Sequence, residues 1–227
     1  MRCNIRVVGC VFKRNRTEIG AENPCMTRDI TAGGLDHAAR SMRERPMALR
    51  VFTALPIPDA VAEEAEALMD HVPGAKWRPR ENLHITLAFY GELDEPVIAD
   101  LDAELARIPT APFTLRLSGA GHFNQGGEPT SIWLGVEENA ALRDLARRCS
   151  SAARGAGFAP ERRTYRPHLT LAYLGRDVEI APVQRFEQRL SLWRSAAFTA
   201  DRFHLYSSRP RKQRKPNAYE IEAEYPL

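Results

Sequence analysis

Cysteine is scarce in this chain of 227 residues, and its four copies are Cys3, Cys10, Cys25 and Cys149. No two of them form a Cys-x-x-Cys pair, and three lie within the first 25 residues. This distribution offers neither a disulfide framework nor a zinc cluster. It is typical of proteins of a reducing compartment, and we therefore expect the cytoplasm.

Long hydrophobic runs are also missing from the front of the chain. Its one apolar run, residues 7–12, is too short for a signal peptide or a membrane span. The surrounding segment is rich in Arg, Asn, Thr and Gly and has no hydrophobic periodicity. We therefore predict that residues 1–46 form a disordered extension, that residues 47–227 form a single bilobal domain, and that no membrane is a partner.

Motifs that bind metals or ATP do not occur. The sequence contains no His-x-His, no His-Glu-x-x-His, no carboxylate cluster beside its repeated motif and no Walker sequence. Those patterns supply the ligands of zinc sites and the phosphate cradle of ATP-binding loops. We therefore expect neither a metal nor another cofactor. The net charge is only +3, but the pI of about 8.8 permits an anionic partner.

The most informative feature is an eight-residue stretch that occurs twice, at residues 84–91 and 168–175. The copies read His-Ile-Thr-Leu-Ala-Phe-Tyr-Gly and His-Leu-Thr-Leu-Ala-Tyr-Leu-Gly, with five identical positions. Apolar and aromatic residues closed by a glycine predict strands. Because side chains alternate along a strand, each histidine and the threonine two residues later share one face. We expect the intervening residues to face a core; these are Ile85, Leu87, Phe89, Leu169, Leu171 and Tyr173.

This duplicated His-x-Thr frame resembles the 2H phosphoesterase superfamily. Within that superfamily, the chain is similar to the bacterial RNA 2′,3′-cyclic phosphodiesterases, also called 2′-5′ RNA ligases. The similarity covers about residues 48–227, and it includes residues 50–55, 77–83, 131–136 and 219–227. It implies an α+β fold with two pseudo-symmetric lobes of antiparallel sheet, outer helices, and a central cleft across which the two histidines face each other.

Local patterns in the sequence predict the elements between the two motifs. Apolar residues at helical spacing predict one helix from Asp59 to the Pro-Gly at residues 73–74, and another over residues 139–156. Alternation predicts a strand over residues 113–118. The glycine-rich residues 119–127 lack the Gly-x-Gly-x-x-Gly spacing, so we predict a flexible loop there rather than a phosphate-binding turn.

The resemblance implies hydrolysis of RNA 2′,3′-cyclic phosphate ends to 2′-phosphomonoesters. It makes His84 and His168 the catalytic pair, and Thr86 and Thr170 the phosphate-binding pair. A neutral and a protonated imidazole can coexist near pH 7, which suits the two proton transfers of this reaction. Hydroxyl donors can stabilise the phosphate charge without a metal. The expected partners are RNA ends with a cyclic phosphate, such as tRNA fragments, or cyclic nucleotides, and a monomer is expected.

Three further side chains are candidates for substrate contact: Phe123, Tyr165 and Arg166. Phe123 occupies a position where the family commonly carries an aromatic residue, and the other two lead into the second motif. Many relatives have arginine where this chain has Tyr173, and Arg166 is the candidate to replace that positive charge. His122, beside Phe123, is expected to be a surface residue.

Some features have two interpretations that the sequence leaves open. The arginines before the second motif, and the five cations in residues 209–216, fit either solvated loops or contacts with RNA phosphates. Trp77 is interpreted as a core residue in preference to a base-stacking one. The function itself has two alternatives: a 2′-5′ RNA ligase or 2′-5′ phosphodiesterase, or, from another class, an RNA-binding module with little activity.

Overall fold

The computed structural model describes residues 48–159, 164–210 and 217–227. The predicted N-terminal extension, the arginines at positions 162 and 163, and most of the basic segment at residues 209–216 lie outside the described residues. The elements are β1 (Leu49–Pro56), α1 (Asp59–Glu66), β2 (Lys76–Trp77), β3 (His84–Leu93), α2 (Glu95–Leu105), β4 (Phe113–Leu115), β5 (Leu117–Gln125), β6 (Glu128–Val136), α3 (Ala140–Gly155), β7 (His168–Tyr173), α4 (Ile180–Leu190), β8 (Phe198–Ala200), β9 (Arg202–Arg209) and β10 (Ala218–Pro226).

One large antiparallel sheet contains most of the strands. Its order is β10-β9-β1-β3-β7-β6-β5, with β2 paired to β7, while β4 and β8 form a separate two-stranded sheet. The predicted α+β class and antiparallel pairing are confirmed. Two strand sets, β10-β9-β1-β3 and β7-β6-β5, meet at β3 and β7. Because the described sheet is continuous there, the division into two lobes stays a prediction.

A matched β-bulge interrupts both motif strands. Leu87 is passed over in the pairing of β3 with β1, and Leu171 is passed over in the pairing of β7 with β6. The extra residue reverses the alternation of faces beyond it. Phe89 and Tyr173 are therefore each 48% exposed. The prediction that they face the core is wrong, although Ile85, Leu87, Leu169 and Leu171 are buried as predicted.

Helices cover the core side of the sheet. Helix α3 packs on β3, α2 packs on α3, and α4 packs on β5 and β6. The helix predicted over residues 139–156 is confirmed, since Asn139 caps α3 by accepting a hydrogen bond of 2.9 Å from the Leu142 amide. The apolar residues whose helical spacing predicted it are buried, namely Leu142, Leu145, Ala146, Cys149 and Ala153. No helix in the described part of the chain is long and apolar enough to cross a membrane.

The glycine-rich residues 119–127 are mostly a strand, so the predicted loop is wrong. Residues 117–125 form β5, which pairs with β6 along its whole length, and a tight turn at Gly126 and Gly127 joins the two strands. Gly121 allows close packing, since a Cβ there would lie 2.3 Å from the indole ring of Trp133, whereas Gly119, Gly126 and Gly127 have positive φ angles. The sequence pattern could not show this partner, which comes from the neighbouring strand.

Two other predicted boundaries are wrong. The strand predicted over residues 113–118 is divided, because β4 pairs with β8 whereas β5 joins the large sheet. Helix α1 ends at Glu66, well before the Pro-Gly pair. After it, the Asp70 carboxylate accepts a hydrogen bond of 2.6 Å from the His71 amide, and His71 has a positive φ of 64°. This local turn competes with helix continuation.

Replacing Gly121 by alanine should destabilise the protein, because the added Cβ would collide with the Trp133 ring. Overpacking of this kind typically costs ~1–3 kcal/mol of unfolding free energy. In a Trp133→Leu background the ring is gone, so the same glycine substitution should cost much less. Urea unfolding of the wild type, both single variants and the double variant measures the difference. An equal cost in both backgrounds would show that the ring is not the cause.

Candidate active site

The two motif strands place their polar residues together on one face of the sheet. Ile85 of β3 is paired with Leu169 of β7, and both side chains are fully buried. In antiparallel strands the residues beside such a pair oppose each other and point to the opposite face. When this register is extended by one residue in each direction, His84 lies opposite Thr170 and Thr86 lies opposite His168. All four side chains are partly exposed, as a site that admits a substrate requires.

The imidazole of His84 rests on a layer of aromatic rings. Its centroid lies 5.0 Å from that of Phe52, 5.3 Å from that of Tyr219 and 6.0 Å from that of Tyr206. Phe52 lies on the next strand, β1, where it is paired with Tyr206 of β9. A hydrogen bond to the backbone of Asn82 also holds the ring. These contacts keep the imidazole largely out of water.

His84 is therefore held in its neutral form. Burial lowers the pKa of His84 to about 3, and the positive charge of Arg78 adds to this effect, while the hydrogen bond to Asn82 opposes it. Arg78 itself is only 7% exposed, and its guanidinium carbon lies 5.2 Å from the Tyr173 ring centroid and 5.3 Å from the Tyr219 ring centroid. These distances are typical of cation–π contacts.

His168 has a similar support on the other strand set. The Phe123 ring meets it edge-on at 4.9 Å, and the Trp133 ring lies at 6.1 Å. The Arg166 guanidinium lies 5.9 Å from both of these aromatic ring centroids. Nδ1 of His168 lies 2.7 Å from the Arg166 carbonyl oxygen. Nδ1–H therefore donates to that carbonyl, which leaves Nε2 to face the cleft.

The pKa of His168 is also lowered, chiefly by burial. The hydrogen bond to the Arg166 carbonyl opposes this shift, and the charge of Arg166 adds to it. Each histidine thus bonds to the backbone two residues before it, at Asn82 and at Arg166. The two imidazoles differ in the position of the neighbouring arginine. Arg78, the arginine beside His84, is buried. Arg166, the arginine beside His168, lies over the Phe123 and Trp133 rings at the cleft.

A cleft of about 900 Å³ opens beside two of the four motif residues. Its lining includes Thr86 and His168, together with all three predicted substrate contacts, Phe123, Tyr165 and Arg166. Thr170 and His84 are not among its lining residues. The far wall is a face of α3 that sequence reasoning missed. It carries Arg143, Arg147, Ser150 and Arg154, whose helical spacing of 4, 3 and 4 residues was the available signal.

Other predicted residues take different positions. His122 is not a surface residue: its Nδ1 lies 2.5 Å from the Glu187 carboxylate of α4, and its side chain is 18% exposed. The Arg78 guanidinium carbon lies 5.2 Å from the Tyr173 ring centroid, whereas Arg166 lies over the Phe123 and Trp133 rings, and its replacement of the missing arginine stays a prediction. Trp77 packs against the core beside Phe186, as the preferred interpretation has it.

The polar side chains that line the cleft suit an anion better than a metal ion. Within the described ranges, no three His, Cys, Asp or Glu side chains come together as a metal-binding group. The one described cation of the basic segment, Arg209, forms a salt bridge of 2.7 Å with Glu220 across the β9–β10 pair. The side-chain donors among the lining residues of the cleft are imidazole, hydroxyl, amide and guanidinium groups. They suit an anionic oxygen ligand such as a phosphate.

Comparison with known proteins defines the class. Residues 57–211 match the family model of the 2′-5′ RNA ligase superfamily, and the chain belongs to this superfamily, as the duplicated motif predicted. It is 32% identical over 182 residues to an RNA 2′,3′-cyclic phosphodiesterase of Geobacillus stearothermophilus, a match that covers 78% of this chain. The chain spans only 56% of that protein's length.

Other relatives are matched over more of their length. An RNA 2′,3′-cyclic phosphodiesterase of Archaeoglobus fulgidus is 31% identical over 141 residues, which cover 60% of this chain and 80% of that one. The fold is similar to that of Escherichia coli LigT in its apo form, with a TM-score of 0.64, 26% identity, and coverage of 80% of this chain and 98% of that one. The E. coli protein has also been solved in complex with 3′-AMP.

An NMR titration should find that the imidazole of His84 stays neutral well below the ordinary histidine pKa of ~6.5. In the Arg78→Met variant the titration midpoint of His84 should rise, because a nearby positive charge that disfavours the imidazolium is lost. Arg80→Met is the matched control, since Arg80 is bound to Glu63 and Glu66 and should leave the midpoint unchanged. A wild-type midpoint at or above ~6.5 would contradict the assignment.

Proposed function

We propose that this protein hydrolyses RNA 2′,3′-cyclic phosphate ends to 2′-phosphomonoesters. The observation that carries the proposal is the register of β3 and β7, which opposes a histidine to a threonine twice on one face. The relatives named RNA 2′,3′-cyclic phosphodiesterase support the same reaction. The substrate would be RNA ends such as tRNA fragments, or cyclic nucleotides, acted on by a monomer in the cytoplasm.

The two histidines divide two proton transfers in this mechanism. His84 accepts a proton as a water oxygen attacks phosphorus, and its low pKa and Arg78 neighbour suit the neutral form that a base requires. The bond from phosphorus to O3′ then breaks, and the protonated form of His168 donates a proton to O3′. Burial disfavours that form, whereas the hydrogen bond to the Arg166 carbonyl favours it. The products are a 2′-phosphomonoester and a free 3′-hydroxyl. Each transfer typically contributes ~100-fold to ~10,000-fold in rate.

The threonines stabilise charge on the phosphate. Thr86 and Thr170 share the face of the histidines, so their hydroxyls can donate hydrogen bonds to the non-bridging oxygens. These oxygens gain negative charge as water adds to phosphorus. Fixed donors in a partly dry cleft need little reorganisation at that moment. The chain therefore supplies groups for proton transfer and charge stabilisation without a metal.

Two other activities remain as alternatives to hydrolysis. By microscopic reversibility the same histidines could form or cleave a 2′-5′ linkage, the kind of linkage that the superfamily's name mentions. Turnover of a 2′-5′-linked oligonucleotide in preference to a cyclic-phosphate RNA would select that alternative. An RNA-binding module with little activity would bind RNA and leave the cyclic phosphate intact. The presence of both histidines and both threonines disfavours it.

Replacing either histidine by alanine should lower turnover of a 2′,3′-cyclic nucleotide by ~100-fold or more, or ~3 kcal/mol of transition-state stabilisation. The double variant should be little worse than either single one, because groups that act as a unit are not additive. Thr86→Ala and Thr170→Ala should each cost ~10-fold to ~1,000-fold. The exposed His71, changed to Asn to suit its positive φ, is the control. A folded His84→Ala or His168→Ala protein with near-normal turnover would refute the mechanism.

Activity on a 2′,3′-cyclic phosphate should survive an excess of EDTA. The groups assigned to the reaction are imidazoles and hydroxyls, and the sequence offers no cluster of metal ligands beside them. The measurement is the initial rate after dialysis against EDTA, compared with the rate after dialysis against buffer alone. Loss of the rate, followed by recovery on addition of a divalent cation, would show that the mechanism lacks an essential component.

A further inference from the structure

The cleft extends well beyond the residues that the proposed hydrolysis uses. From Thr86 and His168 it runs over an apolar floor of Leu87, Ala88 and Ala146 to the exposed face of α3. Residues 143 to 154 of that face span about 16 Å at 1.5 Å per residue. A single nucleotide seated at the histidines cannot fill this length. The remainder of the cleft therefore needs another occupant.

The charge of the α3 wall is positive. Of the four arginines that line the cleft, Arg143, Arg147 and Arg154 belong to α3, and no carboxylate is among the described lining residues. Arg147 and Arg148 share one carboxylate, that of Asp144, with contacts of 2.5 Å each. Arg154 is exposed, and one of its nitrogens donates a hydrogen bond of 2.8 Å to the Ser151 hydroxyl. Exposed ion pairs of this kind are weak, so these guanidinium groups can exchange partners for phosphates.

An exposed aromatic side chain lines the same cleft as His168 and this wall. The bulge at Leu87 brings Phe89 to the face that carries Thr86, where its ring is 48% exposed and lines the cleft. A large exposed ring has no role in the core and costs free energy in water. Bases of single-stranded RNA stack on such rings irrespective of sequence. Arginines along a groove with an interposed ring are typical of single-strand binding sites.

We propose that the nucleotides preceding the cyclic phosphate bind along α3, with their phosphates on Arg147 and Arg154 and a base stacked on Phe89. This inference rests on the proposed function, which places the 3′-terminal phosphate at the histidines. Because a cyclic phosphate terminates the 3′ end, the rest of the RNA extends only in the 5′ direction. The cleft then distinguishes an RNA chain from a free cyclic nucleotide, and its ligand is single-stranded RNA.

The test compares substrates of different length. The Arg147→Gln/Arg154→Gln protein should lose at least ~10-fold more kcat/KM on a short single-stranded RNA with a 2′,3′-cyclic phosphate end than on 2′,3′-cyclic AMP. The salt dependence of RNA binding should become less steep by ~1.4 in the log–log slope, as expected for two lost phosphate contacts. Phe89→Ala should likewise lower kcat/KM more on the oligonucleotide than on the mononucleotide.

The control protein is Arg107→Gln/Arg202→Gln, which loses the same charge. Both arginines are exposed, each is paired with a neighbouring acid, and neither lines the cleft. Its kcat/KM on each substrate should equal that of the wild type. Equal losses on the two substrates for Arg147→Gln/Arg154→Gln, or an equal effect of the control protein, would overturn the proposal.

A binding measurement separates this inference from the proposed function. Fluorescence anisotropy of a labelled single-stranded RNA that ends in a 2′-phosphate reports affinity without turnover. If Arg147→Gln/Arg154→Gln binds the RNA more weakly and the wild type does not hydrolyse 2′,3′-cyclic AMP, the RNA site is retained and the proposed reaction is rejected. Unchanged RNA affinity, with normal hydrolysis by the wild type, would reject the RNA site alone.

Discussion

The pair formed by Ile85 and Leu169 is the contact on which the rest of the site depends. Both side chains are fully buried under the helices, and they fix the register of the two central strands. A slip of one residue would turn the histidines and threonines into the core. The hydrophobic core therefore does more than stabilise the fold: it decides which side chains oppose each other at the cleft.

Support by aromatic rings is the second constraint. Both imidazoles rest on rings from neighbouring strands, and both have a lowered pKa because this packing removes water. Two similar sequences thus produce two similar surroundings, which differ in the position of the nearby arginine. Arg78 is buried beside His84, and Arg166 lies over rings next to His168. In the proposed mechanism, that difference suits the two histidines to separate roles.

Sequence reasoning could predict what depends on local pattern. The His-x-Thr pairs fixed which polar side chains share a face, and the apolar stripe of α3 predicted its inner residues. Phe89 and Tyr173 were assigned to the wrong face, because the bulges form against β1 and β6 and leave no mark within the motif. The strand at residues 117–125 was missed because glycine there serves the Trp133 ring, a contact between strands. Arg78 reaches His84 only through tertiary packing.

The central claim is that two opposed histidines open a cyclic phosphate with water in one direction. The most direct measurement is ³¹P NMR of 2′,3′-cyclic AMP incubated with the purified full-length protein. We expect conversion to a single species, the 2′-monophosphate, because the leaving oxygen is O3′. A product mixture, the 3′-monophosphate, or an unchanged cyclic phosphate in the presence of folded protein would contradict it.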